Sequence, residues 1–256
     1  MARLSVARLH KKVQLTKDTY METLIIGSGH GVPKAGCTAL PEILDDASWS
    51  GGFSGEGREY FRHIEAAVRT AATKPDSQII FSGGQTREEA GKRSEAFGYW
   101  EVARDNGWFG HPEIGKHALK EEFARDSLEN LIFSLLLFYQ AHRKWPENIV
   151  VVGWIFKEER YNFHRQAIKW PATRFEYVGV NNPEGKAMEV AWSGEQRKLE
   201  AVRCDPFLSG AEWAGQRELR NPFQRFHPYR GLDSATDTLL DLMDTHALKA
   251  KFPWVG

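Results

Sequence analysis

Short apolar runs without charged residues recur along this chain, and each ends in glycine or in polar side chains. The strongest runs span residues 24–26, 78–81 and 148–153, and the last is rich in β-branched residues. Continuous runs of this kind are typical of strands that are covered on both faces in a parallel sheet. We therefore expect three central strands, with further strands at residues 117–119 and 174–178.

Segments with a helical period separate these strands. Residues 59–70 place Tyr60, Ile64 and Val68 at helical spacing, and residues 131–139 carry the clearest amphipathic pattern in the chain. Further helical segments are expected at residues 87–106, from about residue 157, and at residues 194–202 and 236–248. The alternation of strands and helices predicts an α/β fold with a doubly wound, mainly parallel sheet and helices on both faces.

The 256 residues are expected to form a single domain. Residues 21–180 make up the predicted α/β core, and residues 181–256 make up a C-terminal extension packed on it. Within the extension, the proline-marked aromatic segment at residues 220–229 is incompatible with a regular helix or a central strand. We expect that segment to wrap around the core, and we expect residues 31–57 to form a long loop across the top of the sheet.

Charge balance and cysteine content limit the expected partners and compartment. Lys plus Arg and Asp plus Glu both number 34, so no net charge draws the chain to nucleic acid or to an anionic membrane. Cys37 and Cys204 are too few for a disulfide framework and lack metal-site spacing, which favours a reducing, cytoplasmic location. No apolar segment reaches the ~20 residues of a membrane span. The basic residues 1–17 are expected to form a flexible or edge-packing tail, rather than the transit peptide that they also resemble.

Two predicted strands run into glycine-containing loops. After residues 24–26 comes the loop 27–31, with Gly29 and His30; Val32 stands where a dinucleotide fingerprint needs its third glycine. His30 is either a general acid or base, a donor to a ligand, or a turn residue, and spacing alone favours the turn residue. The second loop consists of Ser82, Gly83, Gly84, Gln85 and Thr86.

The loop at residues 82–86 is predicted to present backbone N–H groups at the N-terminus of the helix at 87–106. Such a position favours anions, although a plain strand-to-helix turn explains two glycines equally well. Glu95 lies beside the apolar face of that helix. Its carboxylate is either turned into a pocket or solvated, and we expect the solvated position.

The start of the helix at residues 127–139 has a clear capping signal. Asp126 and Glu129 form a capping box, which is a sufficient reason for both residues. Ser127 and Asn130 need another reason, because their side chains enter the first helical turn at the edge of the sheet where ligands usually sit. Both are therefore candidates for ligand binding.

Three cationic or titratable side chains follow the strand at residues 148–153. If a helix begins near Lys157, then Lys157, Arg160 and His164 share one face at i, i+3 and i+7. Cations near a helix N-terminus oppose the helix dipole, so they lower its stability unless an anion offsets them. A solvated face partly neutralised by Glu158 and Glu159 is the alternative.

These motifs resemble a known family when they are taken together. They are Phe81-Ser82-Gly83-Gly84-Gln85-Thr86, Ser94-Glu95-Ala96, Glu121 or Glu122 with Asp126-Ser127-Leu128-Glu129-Asn130, and Phe156-Lys157-Glu158-Glu159-Arg160 with His164. The set is similar to the family called domain of unknown function 218, which includes YdcF-like, SanA-like and ElyC-like proteins. The pair Gln85-Thr86, the pair Phe156-Lys157 and the segment 220–223 resemble its soluble fungal branch. The resemblance covers residues 24–180 and continues more weakly to Tyr229.

The resemblance implies a Rossmann-like fold, a pocket at the carboxyl ends of the strands, and binding of nucleotide-like ligands such as S-adenosylmethionine; it implies no settled reaction. The pocket residues that it implies are Ser82, Gly83, Gly84, Glu95, Glu121, Ser127, Glu129, Asn130, Arg160 and His164. Asp126-Ser127 stands where bacterial members more often have Asn-Thr. A carboxylate thus replaces a neutral amide at Asp126.

Three classes of function remain. The first is a small-molecule enzyme that binds an anionic or nucleotide-like ligand and moves a proton with His30, Glu95 or His164. Its candidate ligand-binding residues are Gly29, Ser82, Gly83, Gly84, Gln85, Thr86, Glu121, Asp126, Ser127, Asn130, Lys157 and Arg160. The second is a nucleotide or S-adenosylmethionine binding protein without chemistry. The third, which we rank lowest because no two ligands have metal-motif spacing, is a metal-dependent hydrolase. Its ligands would be His30, Asp126 and one of Glu95, Glu121 and Glu122.

Overall fold

A computed structural model describes residues 21–51, 55–245 and 252–254, so the predicted tail at residues 1–17 lies outside the described residues. The strands are β1 (Thr23–Ser28), β2 (Val32–Pro33), β3 (Trp49–Ser50), β4 (Ser77–Ser82), β5 (Leu119–Glu121), β6 (Asn148–Gly153) and β7 (Phe175–Gly179). The helices are α1 (Gly57–Ala72), α2 (Glu95–Asp105), α3 (Ser127–His142), α4 (Glu158–Ala167), α5 (Gly185–Cys204), α6 (Ala211–Leu219) and α7 (Ser234–Thr245).

Five strands form one parallel sheet in the order β5-β4-β1-β6-β7, flanked by helices. This arrangement confirms the predicted α/β fold, a Rossmann-like doubly wound sheet. Successive residues of a strand point to opposite faces. In β1, Leu24 and Ile26 therefore join the hydrophobic cluster that contains α3, whereas Ile25 joins the cluster that contains α1 and α2.

The strand order reverses beside β1. The chain passes from β1 to β4 and β5 on one side, and then returns to place β6 and β7 on the other side. In open α/β sheets, the helices on the two sides of such a reversal diverge, and ligands bind in the crevice outside the carboxyl ends of the two central strands. The segments that follow β1 and β6 are therefore placed at the expected binding position.

Two predicted boundaries near the site are wrong. The helix predicted at residues 87–106 begins only at Glu95, because Ser94 is its N-cap and accepts a 2.9 Å hydrogen bond from the amide of Phe97. Residues 87–94 instead contain a short 3-10 turn and Gly91 at φ 61°. The strand predicted at residues 117–119 is β5, and it lies two residues later, so that Glu121 is its last residue.

Helix α3 is buried along most of its surface, contrary to the amphipathic helix that we expected. One side packs on the sheet, and the other side is covered by residues of the C-terminal extension, including Val202, Tyr229 and Leu239. The extension contains α6, which the sequence pattern did not reveal, and α5 begins nine residues before the predicted residue 194. Helix α7 covers the first part of the predicted helix at 236–248, whose end lies outside the described residues.

The segment at residues 31–57 has more structure than the predicted loop. It contains the two-stranded β2-β3 sheet and two 3-10 turns, while residues 52–54 lie outside the described part. The indole of Trp49 anchors the segment by donating a 2.8 Å hydrogen bond to the carbonyl of Ile43. Across the described ranges, no helix has both the length and the apolar character required to cross a bilayer.

Candidate functional site

A cavity of about 70 Å³ lies in the crevice at the carboxyl ends of the central strands. It is lined by Ser28, Gly29, His30, Glu95, Ala124, Arg125, Asp126, Ser127, Asn130, Lys157, Arg160, Tyr161, Lys198 and Arg220. Five of these side chains also line a cleft of about 680 Å³: His30, Lys157, Arg160, Lys198 and Arg220. We call the first the inner cavity and the second the outer cleft, and the shared side chains show that the two adjoin.

Four cationic side chains face both spaces, and we call them the cation cluster: Lys157, Arg160, Lys198 and Arg220. Arg160 lies with its Nε 2.8 Å from Glu195 Oε1 in a buried ion pair, although its N–H does not point at that oxygen. Among the described residues, the other three cations form no ion pair with a carboxylate. The cation cluster therefore carries more positive charge than its protein surroundings neutralise.

The pKa values of the two lysines reflect this excess of positive charge. Burial lowers the pKa of Lys157 well below its usual value, and the charges of Arg160 and Lys198 lower it further. For Lys198 the charge of Arg160 is the largest cause; together with burial and Arg220 it lowers the pKa to about 7. Like charges held this close cost free energy, which an anion in the inner cavity would offset.

His30 contacts the cation cluster directly. Its Nδ1 lies 3.1 Å from Lys157 Nζ, and its ring packs near His63 and Trp154, with ring centroids 5.4 and 6.0 Å away. Burial lowers the pKa of His30 well below its usual value, and the charge of Lys157 adds to the effect. His30 is therefore neutral at neutral pH, and when Lys157 is protonated its ammonium donates to the Nδ1 lone pair. Nε2 then carries the proton, and it has no hydrogen-bond partner in the described part of the chain.

The other two candidates of the predicted cationic stripe have different positions. Arg160 lines the inner cavity, whereas His164 lies fully buried behind it. His164 Nε2 is 2.8 Å from Ser127 Oγ, and its Nδ1 has no partner within the described ranges. Burial, with the charge of Arg160, lowers the pKa of His164 to about 3. His164 thus acts on the cavity only through Ser127, which lines it.

The acidic residues at the start of α3 hold structure together. Asp126 caps the helix by accepting a 2.9 Å hydrogen bond from the amide of Glu129, and it pairs with Arg217 Nε at 2.6 Å. Burial would raise the pKa of Asp126, but Arg217 and the Glu129 amide lower it to about 2. The Glu129 carboxylate accepts a 2.7 Å hydrogen bond from the amide of Arg125, one residue before the N-cap, and pairs with the Arg125 guanidinium at 2.6 Å. Both carboxylates are therefore occupied by arginine.

The prediction that the loop at residues 82–86 presents its backbone N–H groups to an anion is wrong for its two glycines, Gly83 and Gly84. The amide of Gly83 donates to the carbonyl of Glu121 at 3.0 Å, and the amide of Gly84 donates to the carbonyl of Ala124 at 2.7 Å. These bonds tie the loop to the segment after β5. Neither glycine lines the inner cavity.

The rest of that loop supports Glu95. The hydroxyl of Thr86 donates to Glu95 Oε1 at 2.5 Å, and Gln85 donates to the carbonyl of Lys92 at 2.9 Å on the outside. Glu95 is only 3% exposed and lines the inner cavity, so the expectation of a solvated carboxylate is wrong. Gly29 packs against it: a Cβ on Gly29 would lie 2.8 Å from Glu95 Oε2, which explains the glycine.

Ser82 and Glu121 belong to a buried network beneath the inner cavity. Ser82 Oγ lies 2.9 Å from Glu121 Oε2 and 3.0 Å from Asn130 Oδ1, and the hydroxyl of Tyr229 donates to Glu121 Oε1 at 3.1 Å. Burial raises the pKa of Glu121 to about 7. Only Asn130 reaches the cavity, where its Nδ2 donates to Ser28 Oγ at 3.1 Å. Ser82 and Glu121 thus position Asn130 and do not face a ligand.

His30, Glu95 and Asp126 were predicted as metal ligands and all line the inner cavity, but their side chains are not arranged to share a metal ion. Among residues 21–51, 55–245 and 252–254, no group of three or more His, Cys, Asp or Glu side chains is arranged to hold a metal ion. Glu122 accepts a 2.7 Å hydrogen bond from the hydroxyl of Ser94, and Asp126 is paired with Arg217. The donor set therefore favours binding of an anion over direct binding of a cation.

Sequence reasoning missed the residues that the C-terminal extension contributes. Lys198 and Glu195 lie on α5, and Arg220 follows α6. No local pattern distinguishes Lys198 and Glu195 from the many other charges of the extension, and Arg220 was noted only as part of the family-like segment 220–223. The role of Lys198 and Glu195 follows from the packing of α5 against α4.

A yeast protein is similar to this chain. The uncharacterized protein YOR238W of Saccharomyces cerevisiae is 24% identical to this chain, in a match that covers 69% of this chain and 74% of the relative. No family model matches the chain. No solved structure matches it significantly. The relative's name states no activity.

Proposed function

We propose that this chain is an enzyme that binds a phosphate-bearing, nucleotide-like small molecule, with the phosphate in the inner cavity. The observation that supports this proposal is the cation cluster, in which Arg160 alone has a carboxylate partner among the residues that the structure describes. Arginine forks and lysine ammonium groups are the usual protein donors to phosphate oxygens. A bound phosphate would supply negative charge that neutralises the cation cluster.

The outer cleft accounts for the rest of the ligand. Its volume of about 680 Å³ lies within the usual range for small-molecule sites. Its lining includes the rings of Trp154, Phe156 and Trp213, which suit an aromatic base or a similar flat group. A ligand with a phosphate at one end and a flat ring at the other would occupy both spaces.

The proposed chemistry uses acid–base groups that adjoin the cation cluster. Neutral His30 accepts a hydrogen bond from Lys157, so a proton can pass between the two. Glu95 supplies a carboxylate in the same cavity, held by Thr86. The predicted roles of His30 and Glu95 in proton transfer remain proposals, and they are supported by this arrangement.

S-adenosylmethionine fits the inner cavity poorly. Its net charge is positive and it carries no phosphate, so it neutralises the cation cluster less well than a phosphate-bearing ligand does. A nucleotide-binding protein without chemistry remains the alternative.

We also propose membership of the domain of unknown function 218 family, because Ser127, Asn130 and Arg160, which its motif implies, line one cavity. The free thiols of Cys37 and Cys204 support a proposed cytoplasmic location.

The binding proposal is tested by calorimetric titration with inorganic pyrophosphate, with and without magnesium. We expect binding by the wild-type protein, and at least tenfold weaker binding by Arg220→Met. The matched control is Arg143→Met, because Arg143 is an exposed arginine at the opposite end of α3 from the cavity. Equal affinity in wild type and Arg220→Met would contradict the proposal. Binding that occurs only with magnesium would favour the hypothesis of a metal-dependent hydrolase.

Enzyme activity is tested separately from binding. The protein is incubated with a panel of nucleoside mono-, di- and triphosphates and sugar phosphates, and products are measured by mass spectrometry. Turnover that is lost in Arg220→Met and kept in Arg143→Met is the expected result. Binding without turnover of any compound would favour the non-catalytic alternative.

A further inference from the structure

We propose that Ser127 is a nucleophile that attacks the phosphorus of the bound ligand, with His164 as the base that takes its proton. This inference rests on the proposed function, since it needs a phosphate in the inner cavity. It assigns a reaction, phosphoester hydrolysis through a phosphoserine, that the cation cluster alone does not imply.

The geometry of the pair carries the proposal. Ser127 Oγ lies 2.8 Å from His164 Nε2, which is the distance expected between a nucleophile and its base. Ser127 also lines the inner cavity together with Arg160 and Lys198. His164 is completely buried behind Ser127 and away from the cavity. The hydroxyl is thus held between a buried imidazole and a cationic space.

The protonation state of His164 suits a base. Burial, with the nearby charge of Arg160, lowers its pKa to about 3, so the imidazole is neutral at neutral pH. When Nδ1 carries the ring proton, Nε2 accepts the hydrogen bond from the Ser127 hydroxyl. A phosphate beside Arg160 offsets the charge that opposes protonation of His164. Ligand binding therefore makes His164 a stronger base at the moment when the base is needed.

The position of Ser127 in the fold favours a reactive hydroxyl. Ser127 is the first residue of the 16-residue helix α3, and the positive end of a helix dipole stabilises negative charge that develops on Oγ. Asp126 holds that end by capping the helix and by pairing with Arg217. If Ser127 served only to satisfy a buried histidine, it would not need to face the cavity.

The proposed reaction is balanced in atoms and charge. Ser127 Oγ forms a bond to phosphorus, the bond from phosphorus to the leaving oxygen breaks, and the proton of Oγ passes to His164 Nε2. The leaving oxygen takes a proton from Lys198. Water then attacks the phosphoserine; it gives one proton to neutral Lys198, and the proton on His164 returns to Ser127 Oγ. The net reaction is a phosphoester plus water giving an alcohol and inorganic phosphate.

Lys198 is suited to protonate the leaving oxygen. The charge of Arg160 and burial lower its pKa to about 7, so the ammonium gives up its proton readily near neutral pH. Lys198 lines the inner cavity and the outer cleft. It can therefore reach the point where the phosphate joins the body of the ligand.

The test uses a biotinylated alkyl fluorophosphonate on the full chain. In the labelling step Ser127 Oγ bonds to phosphorus, fluoride leaves, and the proton passes to His164. We expect mass spectrometry to locate the adduct on Ser127, and we expect pyrophosphate to slow labelling at least fivefold. Ser127→Ala should lose the label. The matched control is Ser134→Ala, since Ser134 is a fully buried serine two turns further along α3.

The role of His164 is tested with His164→Gln, which keeps a polar side chain in the buried site but is a far weaker base. We expect labelling at least tenfold slower than in wild type, with unchanged pyrophosphate affinity. A labelling rate equal to wild type would overturn the role of His164. The mapped adduct in wild type decides the role of Ser127 even if a variant does not fold. Wild-type protein that binds pyrophosphate without labelling at Ser127 would overturn this inference alone, whereas failure to bind pyrophosphate would overturn the proposed function.

Discussion

Replacing Lys198 by methionine should stabilise the protein while it weakens anion binding. Lys198 belongs to the cation cluster, has no carboxylate partner among the described residues, and has a pKa lowered from 10.5 to about 7. A lowered pKa means that the folded state disfavours the charged lysine. The cost is complete below pH 7, declines between pH 7 and 10.5, and is absent above pH 10.5.

The size of this effect follows from the pKa difference. Each pKa unit corresponds to about 1.4 kcal/mol, so charged Lys198 costs the folded state at most about 5 kcal/mol below pH 7. Solvent screening reduces that figure because the side chain is partly exposed, and we expect a gain of roughly 2–3 kcal/mol in Lys198→Met. For a chain of this length the melting temperature should rise by about 5–10 °C.

The assay is thermal unfolding of wild type and Lys198→Met at pH 6, 8 and 10. The gain should shrink as pH rises, and pyrophosphate should raise the melting temperature of wild type more than that of the variant. The control is Lys186→Met, an exposed lysine near the start of the same helix, whose effect should stay within about 0.5 kcal/mol. A Lys198→Met variant that is no more stable than wild type at pH 6 would refute the reasoning.

Three further substitutions test the buried ion pair of Arg160 and the packing of two helical glycines. Glu195→Gln leaves Arg160 buried without its counter-charge and should lower the free energy of unfolding by about 3 kcal/mol. Pyrophosphate should restore part of this loss. An equal loss with and without pyrophosphate would contradict the prediction. Gly98→Ala would place a Cβ 2.3 Å from Pro33 Cδ and should cost roughly 1–3 kcal/mol in chemical denaturation. Gly215→Ala, in helix α6 with open space around it, should instead be neutral or gain up to about 1 kcal/mol, and equal effects of the two would refute the packing argument.

The central sheet was predictable because buried parallel strands have a simple signature. The runs at residues 24–26, 78–81 and 148–153 lie within β1, β4 and β6, as expected for short uncharged apolar runs covered on both faces of a parallel sheet. The burial of helix α3 on both sides was harder to predict from the sequence. Its second apolar side is covered by the C-terminal extension, and a pattern within one helix does not reveal which distant segment covers it.

Half of the candidate site was also predictable. Candidates placed directly after a strand, such as His30 and Arg160, line the inner cavity because parallel strands end at one edge. The predicted anion contact at residues 82–86 failed because carbonyl groups of a distant segment occupy the amides of Gly83 and Gly84. Lys198 was missed because it lies on α5, which is distant from the strands in sequence and reaches the site only by packing against α4.

The most direct test of the phosphate-binding proposal is a crystal structure of the protein soaked in sodium tungstate, a phosphate analogue that is located by its anomalous scattering. We expect one strong anomalous peak in the inner cavity, within contact distance of Arg160, Lys198 and Arg220. Pyrophosphate added to the soak should reduce this peak. Tungstate that orders elsewhere and leaves the cavity without a peak would contradict the proposal that the cation cluster is an anion site.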